Sequence, residues 1–279
     1  MKVWLGTGDS GTLVDEAVAT VSVFDHGYTV GEGLFETMKV VDGRVFLWPW
    51  HLERMQASAT VIGMMLPSAD TLTRAVSAVV SANRLDGIGR LRLTVTCGNT
   101  TDAATTVVCT LMNAKQPDQT ARLRTMQWPR NERSPLVGLK STSYQENVLA
   151  LQRAQRAGCS EALFFNSQGN LSEGSVSNVF VVSEGVVVTP RLADGLLPGV
   201  TRRLVMTLGG SDLEISETAI DRSAIETADE VFITSSLRDI QPVDRIDDRA
   251  YRVGPISIEL QRRFAEAAAA DWCWLRPSP

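Results

Sequence analysis

The stretch Gly-Leu-Lys-Ser-Thr-Ser-Tyr at residues 138–144 holds a lysine in a chain that otherwise avoids them. Only four of its 27 basic residues are lysines (Lys2, Lys39, Lys115 and Lys140), and arginine supplies the rest. Arginine keeps its proton in a protein, whereas a lysine can release one, and only the unprotonated amine attacks a carbonyl carbon. Four other polar features accompany Lys140. Arg54 stands in His-Leu-Glu-Arg-Met, and Glu173 lies in Leu-Ser-Glu-Gly-Ser-Val-Ser-Asn, ahead of Ser177 and Asn178. Leu-Pro-Gly-Val-Thr at 197–201 leads into a helix starting at Gly199 or Val200. The first amides of such a helix have no partner within it, and together with its dipole they suit a phosphate. The hydroxyl of Thr201 adds to that, as do the hydroxyls and amides of Thr234-Ser235-Ser236. Taken singly, each feature is ordinary: a surface lysine, a solvated carboxylate, a salt-bridged arginine, two turns. Their order along the chain carries the argument.

The elements that must position these residues follow from local pattern. Alternating apolar positions in Ala19–Asp25 predict a strand, and residues 34–48 predict a hairpin around Asp42-Gly43, a pair suited to a type I′ turn. Residues 48–64 read as a helix with Pro49 in its first turn and Leu52, Met55, Ala59 and Ile62 on one face. A second helix and two strands follow, the first strand with Leu91, Leu93 and Val95 on one side. The polar stretch 114–121, containing Pro117, is the expected linker between an N-terminal α+β domain (1–113) and a C-terminal domain (122–279). In the second part, Lys140 closes a short strand before a helix over 146–157 that ends at Gly158. Paired strands, the Leu-Pro-Gly-Val-Thr helix, a further strand and turn, and a last helix over 256–270 complete the chain. Strands and helices segregate rather than alternate, which predicts an α+β fold.

Composition narrows the function. A net charge of −5, a pI near 5.2 and the lack of a basic stripe argue against a nucleic-acid partner. The first residues lack the apolar core of a signal peptide, and no apolar run reaches membrane-spanning length. Cys97, Cys109, Cys159 and Cys273 are scattered without Cys-x-x-Cys spacing, as expected of reduced, mostly buried thiols in the cytoplasm. Two histidines, His26 and His51, argue against a histidine-rich metal site, and no Gly-x-Ser-x-Gly elbow is present.

Together these blocks resemble a known family. Arg54, Lys140, Glu173 with Ser177-Asn178, Pro198-Gly199-Val200-Thr201-Arg202, and Thr234-Ser235-Ser236 before Pro242-Val243 occur in the order found in the class IV aminotransferases, the fold type IV pyridoxal-phosphate enzymes. The opening Phe-Asp-His-Gly-Tyr-Thr-Val-Gly-Glu-Gly-Leu-Phe-Glu-Thr at 24–37 is similar to the family's Asp-x-Gly…Gly-[Asp/Glu]-Gly-x-Phe-Glu block. The resemblance implies a smaller α+β N-terminal domain, a larger pseudo-barrel C-terminal domain carrying the cofactor lysine, and pyridoxal 5'-phosphate as cofactor. It implies a homodimer whose sites lie near the interface. Lys140 would hold the cofactor covalently and shuttle a proton, which needs its pKa brought from ~10.4 toward ~7–8 by burial and nearby positive charge. Glu173 would keep the pyridine nitrogen protonated. Arg54, the amides of Val200 and Thr201, and Ser235 with Ser236 would hold the phosphate. Asn178 belongs to the same cofactor-binding set, and Tyr144 would hydrogen-bond the ring hydroxyl.

Two reactions fit the same residues. One is amino transfer between a D-amino acid or (R)-amine and a 2-keto acid, passing through pyridoxamine phosphate. The other is the aminodeoxychorismate lyase reaction, which releases pyruvate and 4-aminobenzoate. Phe35-Glu36-Thr37 looks like the lyase version of its block, whereas branched-chain enzymes tend to have glycine after the glutamate. Thr96-Cys97-Gly98 stands where D-amino-acid enzymes often carry an arginine for the substrate carboxylate, and Phe35 where they carry a tyrosine. A pocket with Phe35 and Cys97, and with His26 in the opening block, is expected to accept less polar donors, including amines. Arg130, Arg133 or Arg238 could supply a carboxylate partner. A third reading, a binding protein that retains the cofactor without catalysis, is disfavoured because both Lys140 and Glu173 are present. Of the two reactions, amino transfer is the one these residues favour.

Overall fold

The computed structural model describes residues 1–99 and 105–277. Its contacts divide the chain into two units, one of Met1–Gln116, Leu139–Tyr144 and Ala270–Pro279, the other of Pro117–Gly138 and Gln145–Ala269.

The first unit begins with a hairpin of β1 (Lys2–Thr7) and β2 (Ser10–Asp15), followed by a single turn of helix, α1 (His26–Thr29). The Asp25 carboxylate caps α1 by accepting the Gly27 amide at 2.7 Å. Next come β3 (Gly33–Val41) and β4 (Arg44–Phe46), joined by Asp42 and Gly43 at φ 50° and 71°, the two positive values a type I′ turn requires. Helices α2 (Trp48–Ile62) and α3 (Ala69–Ala82) and strands β5 (Gly89–Thr96) and β6 (Thr106–Asn113) complete the unit, with a short C-terminal strand at Trp274–Leu275. The seven strands order as C-terminal strand–β4–β3–β5–β6–β1–β2. Leu91, Leu93 and Val95 are fully buried and join Met38, Val40, Met55, Val76 and Val79 in one core. Side chains alternate along a strand. Phe35 and Thr37 of β3 therefore lie on the other side of the sheet from Leu34, Glu36 and Met38.

Residues 19–25 form no strand. Their apolar alternation has no neighbouring ladder, and Val21 and Val23 are 44% and 66% exposed. Lys140 also sits differently from the sequence reading, which placed it in the C-terminal domain. Leu139–Tyr144 belongs to the first unit because it pairs with the start of β3. The Phe35 amide donates to the Lys140 carbonyl at 2.9 Å, the Thr142 amide to Gly33 O at 2.8 Å, and Leu34 bridges Ser141.

The second unit contains β7 (Ala121–Thr125), α4 (Gln145–Arg156), β8 (Glu161–Phe165), β9 (Leu171–Gly174), β10 (Asn178–Ser183) and β11 (Val186–Pro190). It continues through α5 (Val200–Met206), β12 (Ile215–Thr218), α6 (Arg222–Thr227), β13 (Glu230–Ser235), β14 (Asp239–Ile246), β15 (Arg249–Ala250) and α7 (Pro255–Ala268). Its sheet orders as β12–β11–β10–β13–β14–β7–β8–β9, with β15 on β14. Strands β10 and β13 are buried on both faces, and Phe180 stacks on Phe232 with centroids 4.8 Å apart. That double burial is why both strands read as near-continuous apolar runs.

Candidate active site

In the first unit, Lys140 lies beside two aromatic rings. Its Nζ is 4.5 Å from the Phe35 centroid and 5.4 Å from that of Tyr144, and the two rings meet edge to face at 5.1 Å. Phe35 stands on β3 and Tyr144 just before α4, so the pairing of 139–144 with β3 brings lysine, phenylalanine and tyrosine together. The sequence reading missed a fourth member, Arg92 on β5. Its guanidinium lies 3.8 Å from the Phe35 centroid, and its Nε donates to Thr94 Oγ1 at 3.1 Å. Arg92 is half-buried and forms no ion pair in the described structure. Burial, with Arg90 nearby, lowers its pKa from the usual arginine value, although Tyr144 acts in the opposite direction.

Arg54 is locked on the core side of β3. Glu36 there accepts from Arg54 Nε at 2.9 Å and Nη2 at 2.5 Å, and its Oε2 lies 2.6 Å from His51 Nδ1. Glu36 and His51 are each 1% exposed. Burial opposes the Glu36 charge, but Arg54 and then His51 outweigh it and hold the carboxyl at about 2. Burial lowers the His51 pKa against the pull of Glu36, with Arg54 and Lys140 adding to the lowering. His51 is therefore neutral at pH 7, and its proximity to a carboxylate puts the proton on Nδ1.

His26 and Cys97 come together where residues 25–33 meet the end of β5. The His26 amide donates to Gly98 O at 2.9 Å and the Cys97 amide to Glu32 O at 3.1 Å, while His26 Nδ1 pairs with Glu32 Oε2 at 2.7 Å. Burial, Glu32 and Asp25 push the Cys97 thiol up to about 11, which keeps it protonated and unreactive at neutral pH.

In the second unit, Glu173 of β9 accepts the Leu197 amide at 2.9 Å through Oε2, and its Oε1 lies 3.4 Å from Arg130 Nη2. Arg130 is a buried residue rather than a solvated loop arginine. It donates to Glu146 at 2.5 Å and Asn147 at 3.2 Å, and its guanidinium lies 4.1 Å from the Phe164 centroid. Its Nε and Nη2 are buried without a hydrogen-bond partner. Asn178 Nδ2 donates to Leu197 O at 2.9 Å, so Glu173 and Asn178 between them hold the backbone N–H and C=O of Leu197. The next turn leads into α5, where Val200 and Thr201 are buried in the first turn. A Cβ on Gly199 would lie 2.0 Å from Asn178 Oδ1, so backbone must pass there without a side chain. Thr234 Oγ1 is buried without a hydrogen-bond partner at the end of β13, beside half-buried Ser235 and Ser236. Arg133 is 81% exposed and reaches only Glu132, at 3.7 Å, so it joins neither cluster. Arg238 is held by Gln241 and by the Ser160 carbonyl.

Against this geometry, the chain matches the family described as Amino-transferase class IV over residues 33–246. The chain belongs to this family. Among class IV relatives, a D-alanine aminotransferase of Listeria innocua is 29% identical, with 91% of this chain and 93% of that protein covered. The aminodeoxychorismate lyase of Bacillus subtilis is also 29% identical, over 87% of each. The crystal structure of a branched-chain aminotransferase from Thermoproteus uzoniensis with norvaline superposes with TM-score 0.89 at 30% identity, covering 96% of this chain and 94% of that one.

This class IV enzyme has the fold type IV α+β architecture and uses pyridoxal 5'-phosphate. Each unit by itself presents groups suited to that cofactor. A carboxylate fixed by an amide and an arginine suits a protonated ring nitrogen. A helix start preceded by Gly199 suits a phosphate, as does the unpartnered Thr234 hydroxyl at the end of β13, and a lysine against aromatic rings suits an aldehyde carbon. Among the described residues, no His/Cys/Asp/Glu group suits a metal ion and no helix is long and apolar enough to cross a membrane.

Proposed function

We propose that this enzyme transfers an amino group between a D-amino acid or (R)-amine and a 2-keto acid in two half-reactions, with Lys140 as the catalytic amine. Bound cofactor supplies the electron sink that lets a bond at the substrate's α-carbon ionise. Lys140 Nζ would hold the cofactor in the resting enzyme and would afterwards move the proton at the substrate carbon. Glu173, with Arg130 Nη2 at 3.4 Å from its Oε1, would keep a proton on the ring nitrogen. Arg54, the amides of Val200 and Thr201, and Ser235 with Ser236 would hold the phosphate, Asn178 would steady the Leu197 turn ahead of the helix, and Tyr144 would hydrogen-bond the ring hydroxyl. The observation that carries this reading is Lys140 against Phe35 and Tyr144, together with Glu173 anchored by Leu197 and Arg130.

Phe35 makes the donor pocket apolar, and half-buried Arg92, which forms no ion pair, is the group on that face suited to a donor carboxylate. Arg92 takes the place held in the sequence reading by Arg130, Arg133 and Arg238, and it favours amino acids over plain amines. His26 and Cys97 would border the pocket. Val23, Phe24, Tyr28 and Val30, each at least 66% exposed, give an apolar surface suited to a second copy, in keeping with a homodimer. Four free thiols suit a reducing, cytoplasmic setting.

The second reading is the lyase. It is favoured by Phe35-Glu36-Thr37 and by the B. subtilis relative. A spectroscopic half-reaction separates the two. With D-alanine or an (R)-amine and no acceptor, the absorption of resting holoenzyme gives way to that of pyridoxamine phosphate, and a keto acid restores it. Response to L-leucine alone would assign the opposite hand. Pyruvate release from aminodeoxychorismate without that spectral change would assign the lyase.

A further inference from the structure

Glu36 occupies an unusual place for a carboxylate. Its neighbours on the same face of β3 are Leu34, Met38 and Val40, all at the core, and Glu36 itself is 1% exposed. A buried ion pair adds little net stability over well-packed apolar side chains of similar size, so packing alone gives no reason to keep a charge there. What the charge does is geometric. Its two oxygens take Arg54 Nε at 2.9 Å and Nη2 at 2.5 Å, a fork that fixes the plane of the guanidinium. His51, one helical turn before Arg54 on α2, reaches Glu36 Oε2 with Nδ1 at 2.6 Å and so fixes the carboxylate in turn. The three side chains span β3 and α2, with Arg54 9% exposed at the outer end.

We propose that Glu36 and His51 are positioning residues that hold the Arg54 guanidinium in the orientation that binds the cofactor phosphate. This rests on the reading of Arg54 as a phosphate ligand. The fork removes the rotamer freedom that an arginine otherwise loses on binding, so the affinity it preserves is specific to the phosphate group. A cofactor analogue without phosphate should not respond to it.

The test compares the affinities of pyridoxal 5'-phosphate and unphosphorylated pyridoxal for purified apoenzyme, by equilibrium titration of the bound chromophore. Glu36→Gln should weaken pyridoxal phosphate by about 10- to 100-fold, the loss of a charge-assisted fork, and leave pyridoxal within about 2-fold. His51→Asn keeps a donor near the Nδ1 position and should stay close to the parent, whereas His51→Leu should follow Glu36→Gln. The histidine pair carries the test if Glu36→Gln fails to fold. Equal losses for both ligands, or no loss for either, in Glu36→Gln and His51→Leu would overturn the proposal. Arg54→Gln separates the two levels. If it abolishes the preference for the phosphorylated ligand while Glu36→Gln keeps it, only the positioning role fails. If Arg54→Gln keeps the preference, the phosphate assignment of Arg54 fails and this inference with it.

Discussion

Replacing Gly199 by alanine should damage the second unit through one identifiable contact. The backbone at Gly199, φ −66° and ψ 135°, is open to any residue, so the substitution carries no dihedral strain. The difficulty is steric, because the new Cβ would lie 2.0 Å from Asn178 Oδ1 and 3.2 Å from its Cγ. Asn178 is 4% exposed and must move, and in moving it releases the Leu197 carbonyl that it holds at 2.9 Å. Leaving that carbonyl unpaired costs about 1–3 kcal/mol, and forcing an extra methyl into packed surroundings costs about 1–3 kcal/mol. The stiffer unfolded chain returns about 0.4–1 kcal/mol. The net loss should be about 1–5 kcal/mol, read as a lower urea midpoint with unchanged slope. Because the Leu197 amide also anchors Glu173, cofactor affinity should fall with stability. A double-mutant cycle gives the decisive number: in an Asn178→Ala background, Gly199→Ala should cost under about 1 kcal/mol. The same penalty in both backgrounds, or none in the parent, would refute the contact as the cause.

Other consequences follow from the first unit. Stability should fall on acidification in two stages, because both Glu36 and His51 bind protons less readily folded than unfolded. The His51 contribution is fully present above pH 6.5 and declines as pH falls below it; that of Glu36 is present above pH 4.5 and is lost toward about 2. The Glu36 shift corresponds to about 3 kcal/mol, and urea titrations of His51→Asn should lack the upper stage. For catalysis, Arg92→Gln should raise KM for amino-acid donors by about 10- to 100-fold and leave (R)-amine donors nearly unchanged. Steady-state kinetics with both donor types checks this, and equal effects on the two would remove Arg92 from carboxylate binding.

Where a residue's role depends on near neighbours in the chain, the sequence was readable. Asp42-Gly43 determines its turn within two residues, and Leu91, Leu93 and Val95 mark a buried strand face by period alone. Residue type and order single out Lys140 and Glu173 as candidates. Features set by distant pairing were not readable. Nothing local in 138–144 says that this stretch adds to β3 rather than to the strands that follow it. The β1–β2 hairpin went unseen, and 19–25 has a strand's alternation without a partner strand. Arg92 alternates with apolar residues as a solvent-facing strand arginine does, and only its register opposite Thr37, beside Phe35, reveals its setting. Arg130 lies in a polar loop sequence, and its burial against Phe164 and Glu173 comes from the way β8 and β9 pack in three dimensions.

Borohydride reduction of the holoenzyme, followed by digestion and mass mapping, tests the central claim most directly. With four lysines in the chain, the outcome is unambiguous. A single pyridoxyl adduct on Lys140 is expected, absent from Lys140→Ala, which should lose turnover while still binding cofactor non-covalently. An adduct on Lys2, Lys39 or Lys115 instead, or reduced protein with no adduct, would contradict it.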